Sequence, residues 1–200
     1  MGSPDMDKFR LRRFVETLDE IGEVETYEER INLSDIAAVI ENSPNVVWFK
    51  QVGPDNLELV ANVNGSRKRL ATAMGVSENN IVEEFQRRLG DPQPIVDVEH
   101  DQAPVQQIVL EDNQADLTQL PFYVQHQLDG SAYISSGIDY SIDPETGTTN
   151  VGCRRLSLRN AREAGTNVTA PSDLKRIYTG CSTRGERLPI NFAVGSHPID

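Results

Sequence analysis

Leu11, Phe14, Val15, Leu18 and Ile21 recur every three or four positions, which places them on one face of a helix, and Gly22 follows as its stop. Glu23 to Ile31 alternates weakly and predicts a strand. Ser34 is the expected N-cap of a short helix running to Ile40. Val46 to Lys50 and Leu57 to Val60 are apolar runs on either side of Gly53-Pro54-Asp55-Asn56, the pattern of two paired strands and their turn. Gly65-Ser66-Arg67-Lys68-Arg69-Leu70 opens another helix with a basic, solvated start. Ser77 is the expected cap of a further helix ending near Leu89-Gly90, where Asp91-Pro92-Gln93-Pro94 breaks the pattern. Strands mixed with helices at this spacing predict an α/β first domain over residues 1–115 and an α+β chain as a whole.

From Asp116 the texture changes. Leu117 to Leu120 is a short helical turn stopped by Pro121. Tyr133–Ile142 and Thr148–Leu158 read as two strands joined through Asp143-Pro144-Glu145-Thr146-Gly147, where Pro144 presets φ and Gly147 supplies a positive φ. Residues 159–170 form a polar loop. Ser172 or Asp173 caps a helix to about Ser182, stopped near Gly185, and Pro189–Gly195 is an apolar strand. Residues 116–200 make the second domain.

The formal net charge of −12 over 200 residues disfavours nonspecific binding to nucleic acid or to an anionic membrane. No run approaches the ~20 apolar residues of a membrane span. Met1-Gly2-Ser3-Pro4-Asp5 lacks the apolar core of a signal peptide and is compatible with a vector-derived leader before Met6. Cys153 and Cys181 form neither a metal spacing nor a disulfide framework, so a reducing cytoplasm is the expected compartment. His100, His126 and His197 are widely separated, and the phosphate-loop pattern Gly-x-x-x-x-Gly-Lys-[Ser/Thr] is absent.

The second of the two hairpin strands carries the unusual chemistry. Alternation puts Val151, Cys153, Arg155 and Ser157 on one face and Gly152, Arg154, Leu156 and Leu158 on the other, so either one arginine faces inward or this is an edge strand with both arginines solvated. A buried guanidinium needs an anion. That anion is either an internal carboxylate or the carboxylate or phosphate of a ligand, which arginine grips in bidentate fashion. Asn150 lies five residues before Arg155, roughly 16 Å along a strand, about the reach of a flavin mononucleotide from phosphate to ring. It is also a natural turn residue. The helix start Ala170-Pro171-Ser172-Asp173 suits an anion such as a phosphate. Asp173 there is either a plain cap or a hard oxygen ligand that brings a divalent cation against that phosphate.

These stretches together resemble the UbiD family of reversible decarboxylases. Leu11 to Val24 is similar to its opening helix, and Asn64-Gly65-Ser66-Arg67-Lys68-Arg69 to its Gly-Ser-Arg-x-Arg segment. Asp116-Leu117-Thr118-Gln119-Leu120-Pro121 is similar to its Asp-Leu-x-x-Leu-Pro. Tyr133 to Ile138 with Asp143 to Gly147 and Asn150 to Arg155 resembles its central hairpin. The resemblance implies an N-terminal α/β domain followed by the first part of an FMN-binding, flavin-reductase-like split β-barrel, and then an oligomerisation region. It implies prenylated FMN as cofactor, its phosphate held by Mn2+ (or Mg2+) and often K+. By the resemblance Asn150 is a metal ligand and Arg155 is the catalytic arginine beside the ring and the substrate carboxylate. Cys153 and Arg154 would contact the cofactor through their backbone. Ser172 and Asp173 would lie at its phosphate end, with Asp173 as second metal ligand where the family often has histidine.

The implied activity is non-oxidative, reversible decarboxylation of an aromatic or α,β-unsaturated carboxylic acid, with a flavin prenyltransferase supplying the cofactor. The family's third metal ligand and its two catalytic glutamates are expected beyond Asp200. This predicts that the chain is the N-terminal part of a longer or multi-chain enzyme, inactive alone, in a homo-oligomer or with a partner chain completing the barrel. The alternatives are a non-catalytic flavin-binding or assembly subunit and a flavin domain with a redox or storage role.

Overall fold

A computed structural model describes residues 7–199; the leader expected at residues 1–5 and the terminal Asp200 lie outside them. Helix α1 (Leu11–Glu20) buries Phe14, Val15 and Leu18. It leads into β1 (Val24–Tyr27), α2 (Ile36–Asn42), β2 (Val46–Val52) and β3 (Leu57–Ala61), which form a three-stranded sheet in the order β1-β2-β3. β1 pairs with β2 in parallel and β2 with β3 antiparallel. β2 is buried on both faces, which is why it reads as a continuous apolar run rather than an alternation. Val47, Phe49 and Val52 pack with Ile36 of α2, whereas Val46 packs with Phe14 and Leu18 of α1.

Helices α3 (Arg67–Met74) and α4 (Ile81–Gly90) follow. Ser66 caps α3 by accepting the Arg69 N–H, and Gly75 ends it at φ 72°. The basic start of α3 is not solvated throughout as the sequence suggests. Arg69 is only 2% exposed and donates to Glu23 (3.3 Å) and to the Pro44 carbonyl (3.1 Å), while Lys68 reaches the other Glu23 oxygen. Two expected caps are also displaced. Ser34 donates to the Asp35 carboxylate, and Asp35 occupies the cap position of α2 without a side-chain bond to the helix. Ser77 precedes a 3-10 turn, Glu78–Asn80, and likewise makes no cap bond.

Residues 91–116 cross the surface with only short 3-10 turns. A further 3-10 turn at Leu117–Gln119 is capped by Asp116, which accepts the Thr118 N–H at 2.8 Å. The second sheet has the order β6-β5-β4-β7, from β4 (Tyr133–Ile142), β5 (Thr149–Asn160), β6 (Glu163–Gly165) and β7 (Ile190–Val194), all antiparallel. β6 lies in the stretch expected to be loop. It is only three residues long, Glu163-Ala164-Gly165, so neither length nor alternation marks it. Helix α5 (Asp173–Thr183) packs on this sheet through Leu174, Ile177 and Cys181. Its cap is Ser172, which accepts the Lys175 N–H at 3.2 Å, and Asp173 is its first residue.

Candidate cofactor and active site

The β4–β5 hairpin closes as its turn residues require. Gly147 has φ 72° and its N–H donates to the Asp143 carbonyl at 2.8 Å. The sheet it builds inverts the usual polarity. On β4 the buried positions are Gly137, Asp139 and Ser141, while Ile142 points outward, 61% exposed. On β5, Val151, Cys153 and Arg155 are exposed and Asn150, Gly152, Arg154 and Leu156 are half-buried. Register pairs Tyr140 with Val151 and Ile138 with Cys153, so these side chains share the outward face and form a mostly apolar strip beside Arg155. Among the described residues, β5 from Thr149 to Leu156 has β4 along one side and no strand along the other, because β6 pairs only with Ser157 to Asn160.

Of the two arginines, Arg154 faces inward. Its Nε lies 3.6 Å from Asp139, whose side chain is fully buried, so the internal carboxylate supplies the anion that the sequence demanded. Burial pushes the Asp139 carboxyl up, and Arg154 opposes that. Neither Asp139 oxygen has a hydrogen-bond partner in the described structure; the same holds for Ser141 Oγ and Asn150 Nδ2, which lie on directly opposed residues. The Gly152 position has room for no side chain: a Cβ there would sit 2.7 Å from Asp139 Oδ2.

Arg155 is on the other face, its side chain 58% exposed. Asn150 and Arg155 are therefore on opposite faces of β5 as well as at opposite ends of its exposed stretch. The Arg155 guanidinium carbon lies 4.8 Å from the centre of the Tyr133 ring, and Nη1 is 3.9 Å from Asp129. Cys153 is exposed between the two sites.

At the far end, α5 is tied to the hairpin. Arg176 donates to buried Asp143 at 2.9 Å and lies 3.6 Å from Asp173, and Arg184 pairs with Glu145. The Glu145 N–H donates to Asp143, and together with Arg176 it holds that carboxyl below the usual range against the opposing effect of burial. Asp173 itself is 79% exposed. Pro171, Ser172, Lys175, Arg176 and Thr179 line an open depression at the start of α5. The helix start suits a phosphate, although Lys175 Nζ donates to the Thr169 carbonyl at 2.7 Å and Arg176 is already paired with Asp143. Asn150 offers an amide oxygen to a cation or an amide N–H to a phosphate oxygen, while Asp173 offers a hard oxygen to a cation. Among the described residues no three His, Cys, Asp or Glu side chains converge as a metal site.

Two family models match the chain in succession: the 3-octaprenyl-4-hydroxybenzoate carboxy-lyase N-terminal domain over residues 15–89, and the Rift-related domain of the same enzyme over residues 96–200. The chain belongs to the UbiD family. It is 25% identical to the anhydromevalonate phosphate decarboxylase of Methanothermobacter thermautotrophicus over 90% of this chain and 42% of that protein. It is 27% identical to a phenolic acid decarboxylase of Escherichia coli O157:H7, over 94% and 43% respectively. An evolved dimeric form of the UbiD-class enzyme HmfF from Pelotomaculum thermopropionicum, in complex with prFMN, superposes with a TM-score of 0.89 at 26% identity, covering 95% of this chain and 45% of that one. The closed form of Sedimentibacter hydroxybenzoicus vanillic acid decarboxylase gives 0.86 at 26% identity, covering 94% and 43%. The UbiD chain described here thus spans less than half the length of these relatives. No helix among its described residues is long and apolar enough to cross a membrane.

The buried polar row of this UbiD chain was the part the sequence hid. Asp139 and Ser141 alternate with Ile138, Tyr140 and Ile142 in an ordinary strand pattern, and only the three-dimensional arrangement reveals that the polar set points inward. Tyr133 and Asp129 were equally silent, since their proximity to Arg155 arises from strand pairing and a turn.

Proposed function

We propose that this chain is the cofactor-binding part of a carboxy-lyase that decarboxylates, reversibly and without oxidation, an aromatic or α,β-unsaturated carboxylic acid using prenylated FMN. The observation that carries the reading is the superposition, over nearly the whole chain, on a UbiD-class enzyme in complex with prFMN. The outward strip of half-buried Ile138 and Tyr140 with exposed Val151 and Cys153 supports it, because a flat aromatic ring system needs an accessible, mostly apolar bed with free backbone groups beside it. Residues 116–200 are read as part of a flavin-reductase-like split barrel, and residues 1–115 as a separate α/β domain.

Cys153 and Arg154 contribute backbone groups along the free edge of β5. Arg154 keeps its side chain for Asp139. Asn150, Ser172 and Asp173 serve the phosphate end, with Asn150 and Asp173 holding Mn2+ (or Mg2+); K+ completes the charge balance there. Prenylated FMN, made by a flavin prenyltransferase, supplies the electron sink for the pair left on an sp² carbon as CO2 departs. Arg155 binds the substrate carboxylate through its in-plane N–H donors and orients it over the apolar strip. The proton that replaces CO2 comes from a carboxylic acid outside this chain, so the chain alone is expected to be inactive and to work within a longer polypeptide, an oligomer or a complex.

The test is Arg155→Ala in the longest natural form of the protein, produced with a flavin prenyltransferase in the presence of Mn2+. The reading predicts loss of CO2 release from aromatic and unsaturated acids, by at least about a hundredfold, with the flavin retained. Rates like those of the parent protein would remove Arg155 from the chemistry.

A further inference from the structure

Arg155 is an exposed guanidinium held in one direction by two neighbours. β4 carries a bulge between Ile134 and Gly137, so that Ser135 and Ser136 together face Arg155 across the ladder. Such an extra residue re-aims the side chains around it. Arg155 lies over Tyr133, 4.8 Å from the ring centre, rather than over its own cross-strand neighbours. The Tyr133 backbone is itself fixed, because it pairs with Tyr123 through two hydrogen bonds (2.8 and 3.3 Å) and with Ser157 in the sheet.

On the other side stands Asp129. Its Oδ2 accepts the His126 N–H at 3.0 Å, its own N–H returns to the His126 carbonyl at 2.9 Å, and the His126 ring nitrogen accepts the Leu128 N–H at 3.1 Å. The carboxylate is thereby locked by its own turn, with Oδ1 facing Arg155 at 3.9 Å, too far for a hydrogen bond. The ring contact and the ion pair both act on the guanidinium charge. Among the described residues no hydrogen bond claims the Arg155 N–H donors, which leaves the edge open to an incoming carboxylate.

We infer that Asp129 and Tyr133 are positioning residues, which hold the Arg155 guanidinium face-down on the Tyr133 ring with its donor edge presented to the substrate carboxylate. The inference rests on the proposed decarboxylase reading. Asp129 draws the charge toward the 126–129 turn without capping it, and Tyr133 fixes the plane in which the bidentate grip forms.

Two measurements on the longest natural form of the protein separate failure of the clamp from failure of the reading. The first is steady-state kinetics of the prenylated-FMN-loaded enzyme on an aromatic acid it turns over. Tyr133→Leu is expected to lower kcat/KM about tenfold, mostly through KM, and Tyr133→Phe to recover most of that loss because the ring face remains. Asp129→Asn keeps an acceptor for the His126 N–H and removes the charge; it is expected to lower kcat/KM by about threefold or more at unchanged thermal stability. Turnover by the parent protein with all three variants at its level would overturn the clamp and leave the decarboxylase reading standing. The second measurement needs no turnover. Arginine-selective NMR, assigned with Arg155→Lys, should show ring-current-shifted Arg155 side-chain signals that move to ordinary positions in Tyr133→Leu and stay in Tyr133→Phe. Unshifted Arg155 signals in the parent protein would overturn the clamp even if no acid is ever decarboxylated.

Discussion

At the scale of single residues, the buried side of β5 is set by Gly152. A methyl group there would stand 2.7 Å from Asp139 Oδ2 and 3.4 Å from Arg154 Nη2, inside the Arg154–Asp139 charge pair. The carboxylate is fully buried and cannot swing into water, so the strain has no cheap outlet. Gly152→Ala is expected to destabilise the fold by about 2 kcal/mol, read as a lower midpoint in urea unfolding; an unchanged midpoint would mean that Asp139 is free to move. The sequence foretold that an inward arginine would need an anion. It left open which arginine and which anion, because those depend on the partner strand, and Asp139 stands directly across from Gly152 only once the hairpin register is formed.

At the scale of elements, α5 and the β4–β5 hairpin form one unit through Arg176 and Arg184. The Asp143 carboxyl lies below its ordinary range in the folded protein, chiefly through the Glu145 N–H and then through Arg176. A carboxyl whose folded pKa is depressed contributes stability that is complete above its unfolded pKa, about 3.9, and is lost as pH falls through the folded value. Asp143→Asn should therefore lower the melting temperature near pH 7, and the gap to the parent protein should begin to narrow below about pH 4 and close as pH falls through the depressed folded value. A gap independent of pH would assign the loss to packing instead. Most of these elements were legible beforehand: the helical stripe from Leu11 to Leu18, the turn at Pro144 and Gly147, and the cap at Ser172 are each encoded within a few neighbouring residues. The displaced caps at Ser34 and Ser77 and the short strand β6 were not. A cap depends on the local dihedral angles, and a three-residue strand exists only because Ser157 to Asn160 offers it an edge.

At the scale of the whole molecule, the two sheets differ in kind. The first buries its apolar residues on both faces of β2 in the ordinary way. The second turns its polar residues inward, stabilises them with Arg154 and Arg176, and carries on its outward face a strip of half-buried Ile138 and Tyr140 with exposed Ile142, Val151 and Cys153 that ends at Arg155. An arrangement of this kind makes sense where another body covers the strip, and prenylated FMN is the body proposed for it. His197, packed edge-on against Phe9 and Phe14, brings the segment after β7 back to α1, so the two halves share one framework. The composition suggested that framework only as a division of texture near Asp116; the return to α1 involves positions nearly the whole chain apart, which no local pattern records.

The most direct measurement is native mass spectrometry of the longest natural form of the protein, produced with a flavin prenyltransferase and Mn2+ beside a UbiD-class enzyme that loads under the same conditions. One prenylated-FMN mass together with a divalent metal per chain is the expected result. A bare chain, from cells in which the comparison enzyme is loaded, would contradict it.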